Sequence, residues 1–138
     1  MNLLRPAIDA KLLDSTIYND CQGRCYYQTA NSPDYPRLVY SRVSGVPDNA
    51  FAKKGESVLI QFDLYSLQSA GNQEILTMEA DLIALFDDCT LTLTGKNLVG
   101  FERTGIMGPM NEDVSALQDG TMMISHTAID YTATYQAT

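Results

Sequence analysis

The segment SVLIQFDLYS, residues 57–66, alternates apolar and polar side chains. Its apolar positions are Val58, Ile60, Phe62 and Leu64. Successive side chains of a β-strand point to opposite faces, so this spacing predicts a strand with one buried face and one polar face. Such a strand needs a sheet around it and a layer that covers its apolar side.

Two stretches have helical spacing instead. Residues 2–14 repeat apolar side chains every three or four positions, which predicts a short amphipathic helix starting near Arg5, since Pro6 fits only a first turn. Residues 73–88 are apolar over about half of a helical wheel. Asn72 is the candidate N-cap, and the two aspartates at 87 and 88 oppose the helix dipole, so the helix is expected to end early.

The remaining segments supply more strands and their connections. Strand-forming residues occupy 24–28, 37–44, 90–95, 96–105 and 121–136. The segments predicted to be irregular are a turn region at 15–23, a loop at 29–36, a polar connection at 45–56 and a flexible loop at 106–120. This order predicts an α+β fold: a mostly antiparallel sheet with an N-terminal helix and a central amphipathic helix packed on one face. The 138 residues are expected to form a single domain.

Charge and composition exclude several functional classes. The net charge is −8, which disfavours a surface that neutralises phosphates. No apolar run reaches the roughly 18 residues that span a bilayer, and Arg5, Pro6 and Asp9 interrupt the N-terminal stretch in a way that is not typical of a signal peptide. An odd count of three cysteines then predicts reduced thiols in a cytosolic setting.

The stretch NDCQGRCYYQ, residues 19–28, resembles a thiol site at first sight. Structural zinc needs four Cys or His ligands, usually in closely spaced pairs, whereas the other candidates besides Cys21 and Cys25 are Cys89 and His126, each alone in its own strand region. Redox chemistry of the thioredoxin type needs Cys-x-x-Cys, one residue shorter. We therefore predict no metal, no cofactor and no catalytic residue, with Cys25 as a small buried side chain and Cys21 in a loop.

Two further polar residues invite a functional interpretation. His126 is a single histidine in a strand without a sequence signal for a catalytic partner, which favours a structural role. Glu79 falls within the apolar arc of the central helix. We expect it to reach the helix edge or to pair with an arginine such as Arg42 or Arg103 across a subunit interface.

Partner contacts are predicted at two loops. Lys53 and Lys54 form the one adjacent basic pair and lie in the polar connection 45–56, where such a pair is usually a solvated tip and less often contacts an acidic partner. Ile106, Met107 and Met110 are apolar residues in a segment that glycine and proline keep irregular. Apolar side chains in a loop suit a partner surface, and methionine adapts well to one, although the loop could equally fold back over its own core.

The whole-chain layout resembles the tail-completion, or tail-terminator, proteins of long-tailed bacteriophages. The resemblance rests on GRCYYQ after a short helix, a loop ending in Tyr35-Pro36, the strand RLVYSRVSG, the strand VLIQFDLYS with its Asp63, and a helix beginning NQEI. These motifs cover nearly the full chain, but each is a strand or helix pattern. Cys25 and the long segment 104–120 depart from the family pattern.

The resemblance implies a non-enzymatic virion protein that assembles in the host cytoplasm. Its copies would form a ring, with six as the expected number, at the head-proximal end of the tail tube. The ring would stop tube growth and contact the tube protein and the head-completion or connector protein. DNA would pass through without specific binding, and an acidic lumen would favour its passage. No membrane is implied. A head–tail connector, a tail-tube subunit, and a small enzyme or ligand-binding domain using Cys25, Cys89 or His126 remain the alternatives.

Overall fold

A computed structural model describes residues 2–48, 55–67, 72–113 and 123–137. The helices are α1 (Leu4–Leu12), α2 (Thr16–Asp20) and α3 (Asn72–Phe86), and the strands are β1 (Cys25–Tyr27), β2 (Arg37–Asp48), β3 (Gly55–Leu67), β4 (Lys96–Asp113) and β5 (Met123–Ala137). The strands form one sheet in the order β1-β2-β3-β5-β4. Strand β1 runs parallel to β2, and every other pair is antiparallel. The predicted α+β fold is confirmed.

The alternation in β3 sets the two faces of the sheet. Its four predicted apolar side chains, from Val58 to Leu64, are fully buried. Their cross-strand neighbours on this covered face include Leu38, Tyr40, Ile129 and Tyr131, which are also buried. The helix residues that close the core are Leu4, Ile8, Leu12, Ile75, Met78, Leu82 and Phe86. Burying a side chain of this size contributes about 1.5–3 kcal/mol relative to leaving it exposed.

Aromatic rings form a continuous run through this core. Tyr27 lies 5.1 Å from Tyr40, which lies 5.6 Å from Phe62, measured between ring centroids. Phe62 contacts Phe86 of α3 at 4.8 Å, and Phe86 contacts Phe101 of β4 at 5.7 Å. Tilted and offset contacts at these distances stabilise aromatic pairs beyond their buried area. The run therefore ties both edges of the sheet to the covering helix.

The start of α1 and the end of α3 agree with the sequence, whereas Asn72, the predicted N-cap, is the first residue of α3. Helix α1 begins at Leu4, so Pro6 lies in its first turn, as predicted. Helix α3 ends at Phe86, before Asp87 and Asp88. Asp88 has a φ of 57°, which takes the backbone out of the helical region at this point.

The segment 15–23 was predicted as a turn and instead contains α2. The Ser15 hydroxyl caps it by accepting a hydrogen bond from the Tyr18 amide at 3.2 Å, and Ile17 packs into the core. Gly23 then leaves the helix with a φ of 79°. Five residues are too few to show a helical period, which is why the apolar pattern did not reveal this helix.

The predicted roles of the two cysteines are reversed. Cys21, expected in a loop, is fully buried at the end of α2, whereas Cys25 is half-buried. Cys25 and Tyr27 both pack against the core, so Tyr26 between them points to the other side of β1. The short helix explains the reversal, because it turns the Cys21 side chain inward.

Residues 90–93 do not form the predicted strand. Leu91 and Leu93 are nearly buried, so the alternation in TLTLTG is real. The backbone of these residues nevertheless adopts no regular structure, and the next strand begins at Lys96. Alternation reports which side chains are buried, and it does not require a neighbouring strand.

The segment 106–120 was predicted as a loop, but β4 continues through it to Asp113, and residues 114–122 lie outside the described part. Its breaker residues lie next to register shifts, one between Arg103 and Gly105 and another between Met107 and Met110. Gly108 has a φ of 108°, and a Cβ there would lie 2.6 Å from the His126 carbonyl oxygen. Glycine and proline therefore mark bulges in an edge strand instead of its end.

The connection at 45–56 is also shorter than predicted. Strand β2 continues to Asp48 and β3 begins at Gly55, with Asp48 paired to Gly55. The segment 49–54, which contains the candidate residues Lys53 and Lys54, lies outside the described residues.

Candidate functional site

Strand β4 forms one edge of the sheet and exposes apolar side chains. Val99, Ile106 and Met107 are 56%, 41% and 61% exposed, and we call these three residues the β4 edge patch. Ile106 pairs with the buried Ile129 and Met107 with Ala128, so the two side chains leave opposite faces of the strand. Exposed apolar side chains on a sheet edge are typical of a protein contact surface.

Three register shifts interrupt the pairing of β4 with β5. They lie between Leu98 and Gly100, between Arg103 and Gly105, and between Met107 and Met110. Bulges of this kind twist an edge strand and hinder the addition of another strand. The β4 edge patch therefore offers side chains to a partner more readily than a continuous row of backbone groups.

The third apolar candidate, Met110, differs from the β4 edge patch. It is half-buried and lies directly across from His126. It therefore belongs to the open face of the sheet, the face opposite the helices, where it adjoins a cluster of polar side chains.

Strand β2 also exposes two valines, which, like Val99, were not singled out from the sequence. Val43 and Val46 are 54% and 59% exposed and lie in the part of β2 beyond Tyr40, where pairing with β1 ends. Val43 falls at the register shift between Arg42 and Ser44. Val43 lies in the predicted strand 37–44, where a valine is expected to be buried, whereas Val46 lies in the predicted polar connection 45–56 and was not singled out.

The open face carries a cluster centred on His126. Its Nε2 atom lies 2.8 Å from Oδ1 of Asp63 on β3, and its Nδ1 atom lies 2.8 Å from Oε1 of Glu112 on β4. The His126 ring stacks on Tyr65 with centroids 4.5 Å apart and planes 11° apart. Arg37 of β2 covers the Tyr65 ring at 5.1 Å, so the cluster crosses four strands.

The charges around His126 favour its protonated form. The hydrogen bond to Asp63 is the main cause that raises the pKa of His126, and Glu112 adds to it, while burial opposes both. The side chains of His126 and Asp63 are only 15% and 17% exposed, which keeps solvent screening of this contact low. The sequence-based expectation of a structural histidine is consistent with these contacts.

Polar groups between α3 and the sheet have partners within the chain. Glu79 accepts a hydrogen bond from the Thr127 hydroxyl at 3.3 Å, and burial raises its pKa. Arg103 instead donates to Asp87 at 3.1 Å, and Tyr131 donates to the other oxygen of that carboxylate at 2.6 Å. These contacts hold the helix to the sheet, so Glu79 is an interior polar contact with Thr127 as its partner.

The cysteines lack the features of reactive thiols. A hydrogen bond to Cys25, together with burial, raises the pKa of Cys21, and burial raises the pKa of Cys89. Because the thiolate is the nucleophile, a raised pKa disfavours such chemistry. Cys25 and Cys89 line two separate surface depressions of about 430 and 620 Å³, and His126 lines neither. Within the described ranges, no three Cys, His, Asp or Glu side chains converge to hold a metal ion.

Comparison with solved structures finds the same fold elsewhere. A chain described as "Virion of native gene transfer agent (GTA) particle" superposes with a TM-score of 0.75, covering 99% of this chain and 96% of its own, at 12% identity. A second solved chain, which carries no functional name, gives a TM-score of 0.55, covering 99% and 94%, also at 12% identity. At such low identity the likeness establishes the fold alone.

Sequence comparisons add no family assignment. No protein-family model matches the chain, and no curated protein sequence matches it. None of the helices in the described ranges is long and apolar enough to cross a bilayer.

Proposed function

We propose that this chain is a structural, non-enzymatic protein of a phage-type virion, folded as a single domain. More specifically, we propose that it is a tail terminator. Its copies would form a ring, with six as the expected number, at the head-proximal end of the tail tube. There the ring would end tube growth and join the tail to the head connector, after assembly in the host cytoplasm.

The observation that carries this proposal is the fold shared with a chain of the gene transfer agent virion. The match spans 99% of this chain and 96% of the other with a TM-score of 0.75. The likeness in fold therefore extends over nearly the full length of both chains. The neighbour's place in a virion supports a virion role, and the tail-terminator role rests on the resemblance of the sequence motifs.

The exposed apolar surface supports a subunit role. The β4 edge patch lies on one edge of the sheet, and Val43 and Val46 lie on the free part of β2 on the other side. Two different apolar surfaces on opposite sides of one subunit suit head-to-tail contacts, and such contacts close into a ring when the rotation between neighbours is fixed. We propose the β4 edge patch and Met110 as partner contacts, with Lys53 and Lys54 as further candidates.

The acidic balance fits a ring through which DNA passes. With a net charge of −8, the chain would repel phosphates and would not retain DNA on its surface. We therefore propose the tail-tube protein and a head-completion or connector protein as partners, and no specific binding of DNA.

Light scattering after size-exclusion chromatography, at several protein concentrations, tests the assembly. We expect a closed oligomer of fixed mass. Negative-stain images then separate the alternatives: closed rings indicate a terminator or connector, whereas open-ended tubes indicate a tube subunit. A strict monomer at high concentration that also leaves growing tail tubes unaffected would contradict the proposal.

A matched pair of variants tests the β4 edge patch. Ile106→Ser combined with Met107→Ser should weaken assembly at least tenfold, because about 1.4 kcal/mol of lost contact energy gives that factor. Leu76→Ser is the control, since Leu76 is 46% exposed but lies on α3, away from the sheet edge. Equal effects of the two changes would argue against the patch as the interface.

A further inference from the structure

We infer that His126 is a proton-operated clamp: as an imidazolium it holds the end of β4, residues 110–113, against the centre of the sheet, and loss of its proton releases that end. The inference concerns the folded subunit and does not depend on the proposed place in a virion. It rests on the positions of the two carboxylates that contact the ring.

The geometry requires a proton on both ring nitrogens. Nε2 lies 2.8 Å from the Asp63 carboxylate and Nδ1 lies 2.8 Å from the Glu112 carboxylate. A neutral imidazole has one N–H donor and one acceptor nitrogen, and an ionised carboxylate can only accept. With both carboxylates ionised, only the imidazolium can donate to both. A neutral ring would place a nitrogen lone pair against one of the carboxylate oxygens.

The other groups around the ring do not cancel this preference for the imidazolium. Strand β3 contributes Asp63 and Tyr65, and β4 contributes Glu112. The cation of Arg37 on β2 is separated from His126 by Tyr65, because Arg37 and His126 are its cross-strand neighbours on either side. The electrostatic effect of two carboxylates in direct contact with His126 therefore exceeds that of one guanidinium on the far side of the Tyr65 ring.

The clamp acts just beyond one of the three register shifts in the β4–β5 pairing. The register shift between Met107 and Met110 contains Gly108 and Pro109, and pairing resumes with Met110 across from His126. The bulge interrupts the backbone pairing between residues 110–113 and the preceding part of β4, so this segment does not share one continuous ladder with the rest of the strand. The contact from His126 to Glu112 adds a side-chain tie across the strands.

The direction with pH follows from the raised pKa of His126. The clamp is fully formed below the pKa of about 6.5 that a histidine has in an unfolded chain. It is lost as the pH rises through the higher pKa of the folded protein. Opening is local, because the aromatic core lies on the other face of the sheet and carries no part of this contact.

Nuclear magnetic resonance on the intact chain tests the clamp without ambiguity, because His126 is the only histidine. Long-range proton–nitrogen spectra should show the imidazolium pattern above the ordinary pKa of about 6.5. Over the same titration, amide exchange at residues 110–112 should accelerate beyond its intrinsic pH dependence at the His126 midpoint. A neutral ring tautomer at about pH 6, or an exchange profile without a step at that midpoint, would overturn the inference.

Charge-neutralising variants separate the clamp from a general charge effect. Glu112→Gln should lower the His126 midpoint and remove the exchange step, and Asp63→Asn should lower the midpoint further, since Asp63 is its main partner. Glu102→Gln is the control, because Glu102 is an exposed acid of the same strand that pairs with Thr132, six residues from His126. Glu112 is 45% exposed, so its substitution is compatible with folding. Equal shifts from Glu112→Gln and Glu102→Gln would overturn the clamp.

Discussion

The two faces of the sheet are stabilised by different physics, although they belong to the same strands. On the covered face, Phe62 contacts three neighbouring aromatic rings and is fully buried. One position further along β3, Asp63 lies on the open face and contacts His126. The free energy of unfolding should therefore depend on side-chain volume at the covered face, and on charge and pH at the open face.

The largest expected effect is on the covered face. Phe62→Ala should reduce the free energy of unfolding by about 3 to 5 kcal/mol, because it removes the central ring and leaves a cavity. The loss should be the same at about pH 6 and about pH 9, since the neighbours of the ring are uncharged at both values. Urea denaturation at the two pH values measures it.

Val99→Ala is the control for this change, because Val99 is 56% exposed. Its effect should stay within about 0.5 kcal/mol. If Phe62→Ala cost no more than the control, the aromatic run could not be the main support of the sheet.

The next effect lies on the open face. Asp63→Asn should reduce stability by about 1 to 2 kcal/mol at about pH 6, where it weakens a charged hydrogen bond to His126. The difference from the unmodified protein should shrink as the pH rises through the folded pKa of His126, because the imidazolium is then lost in both proteins. Denaturation curves across this pH range would show it.

Asp34→Asn serves as the control, since Asp34 lies exposed in the loop 29–36. A loss at Asp63 that did not vary with pH would mean that the contact with His126 does not depend on the ring proton.

Charge also matters among the helices, where Asp20 of α2 neighbours Asp81 of α3. Burial and the neighbouring Asp81 carboxyl raise the pKa of Asp20 to about 7 from an ordinary value of 3.8. Because the folded protein favours the protonated Asp20 carboxyl, this group contributes stability that is present below about pH 4 and is lost as the pH rises to about 7. Asp20→Asn should therefore stabilise the protein by about 1 kcal/mol at about pH 8, allowing for partial exposure of the group, and by nothing near pH 4.

Thermal unfolding at both pH values would measure this gain. Asp81→Asn should stabilise in the same direction, because either change removes the repulsion between the two carboxylates. Absence of a gain at alkaline pH would show that α2 and α3 accommodate both charges.

The smallest expected effect is at the β4 edge patch. Met107→Ser should change the free energy of unfolding by no more than about 0.5 kcal/mol, because the side chain is 61% exposed. The same variant is expected to weaken self-association. A large loss of stability in a protein kept monomeric by dilution would show that Met107 supports its own subunit.

Local patterns in the sequence predicted much of the fold. The period of two in residues 57–66 located β3 and both of its faces, and the helical period of residues 73–88 located α3 and its end. Patterns failed where an element is short or irregular. Helix α2 is five residues long, and β4 contains the glycines and the proline that elsewhere end a strand. The segment 90–93 shows the opposite failure, since its leucines alternate without a strand.

The candidate site was predictable only in part. Ile106 and Met107 were singled out as apolar residues that either meet a partner or fold back over the core, and the structure exposes both, on a strand edge instead of a loop. The exposure of Val43 was not predicted, because it lies in a predicted strand at a register shift that only the pairing with β3 reveals.

The sequence by itself determined that one side of a sheet is apolar and is covered by amphipathic helices, because side-chain periodicity is a local property. Only the tertiary structure decided which polar groups meet on the other side. His126 and Asp63 are 63 residues apart, and they meet because β5 pairs with β3 in one particular register. A shift by one residue would turn His126 to the core, so the long-range packing that fixes the register also creates the cluster.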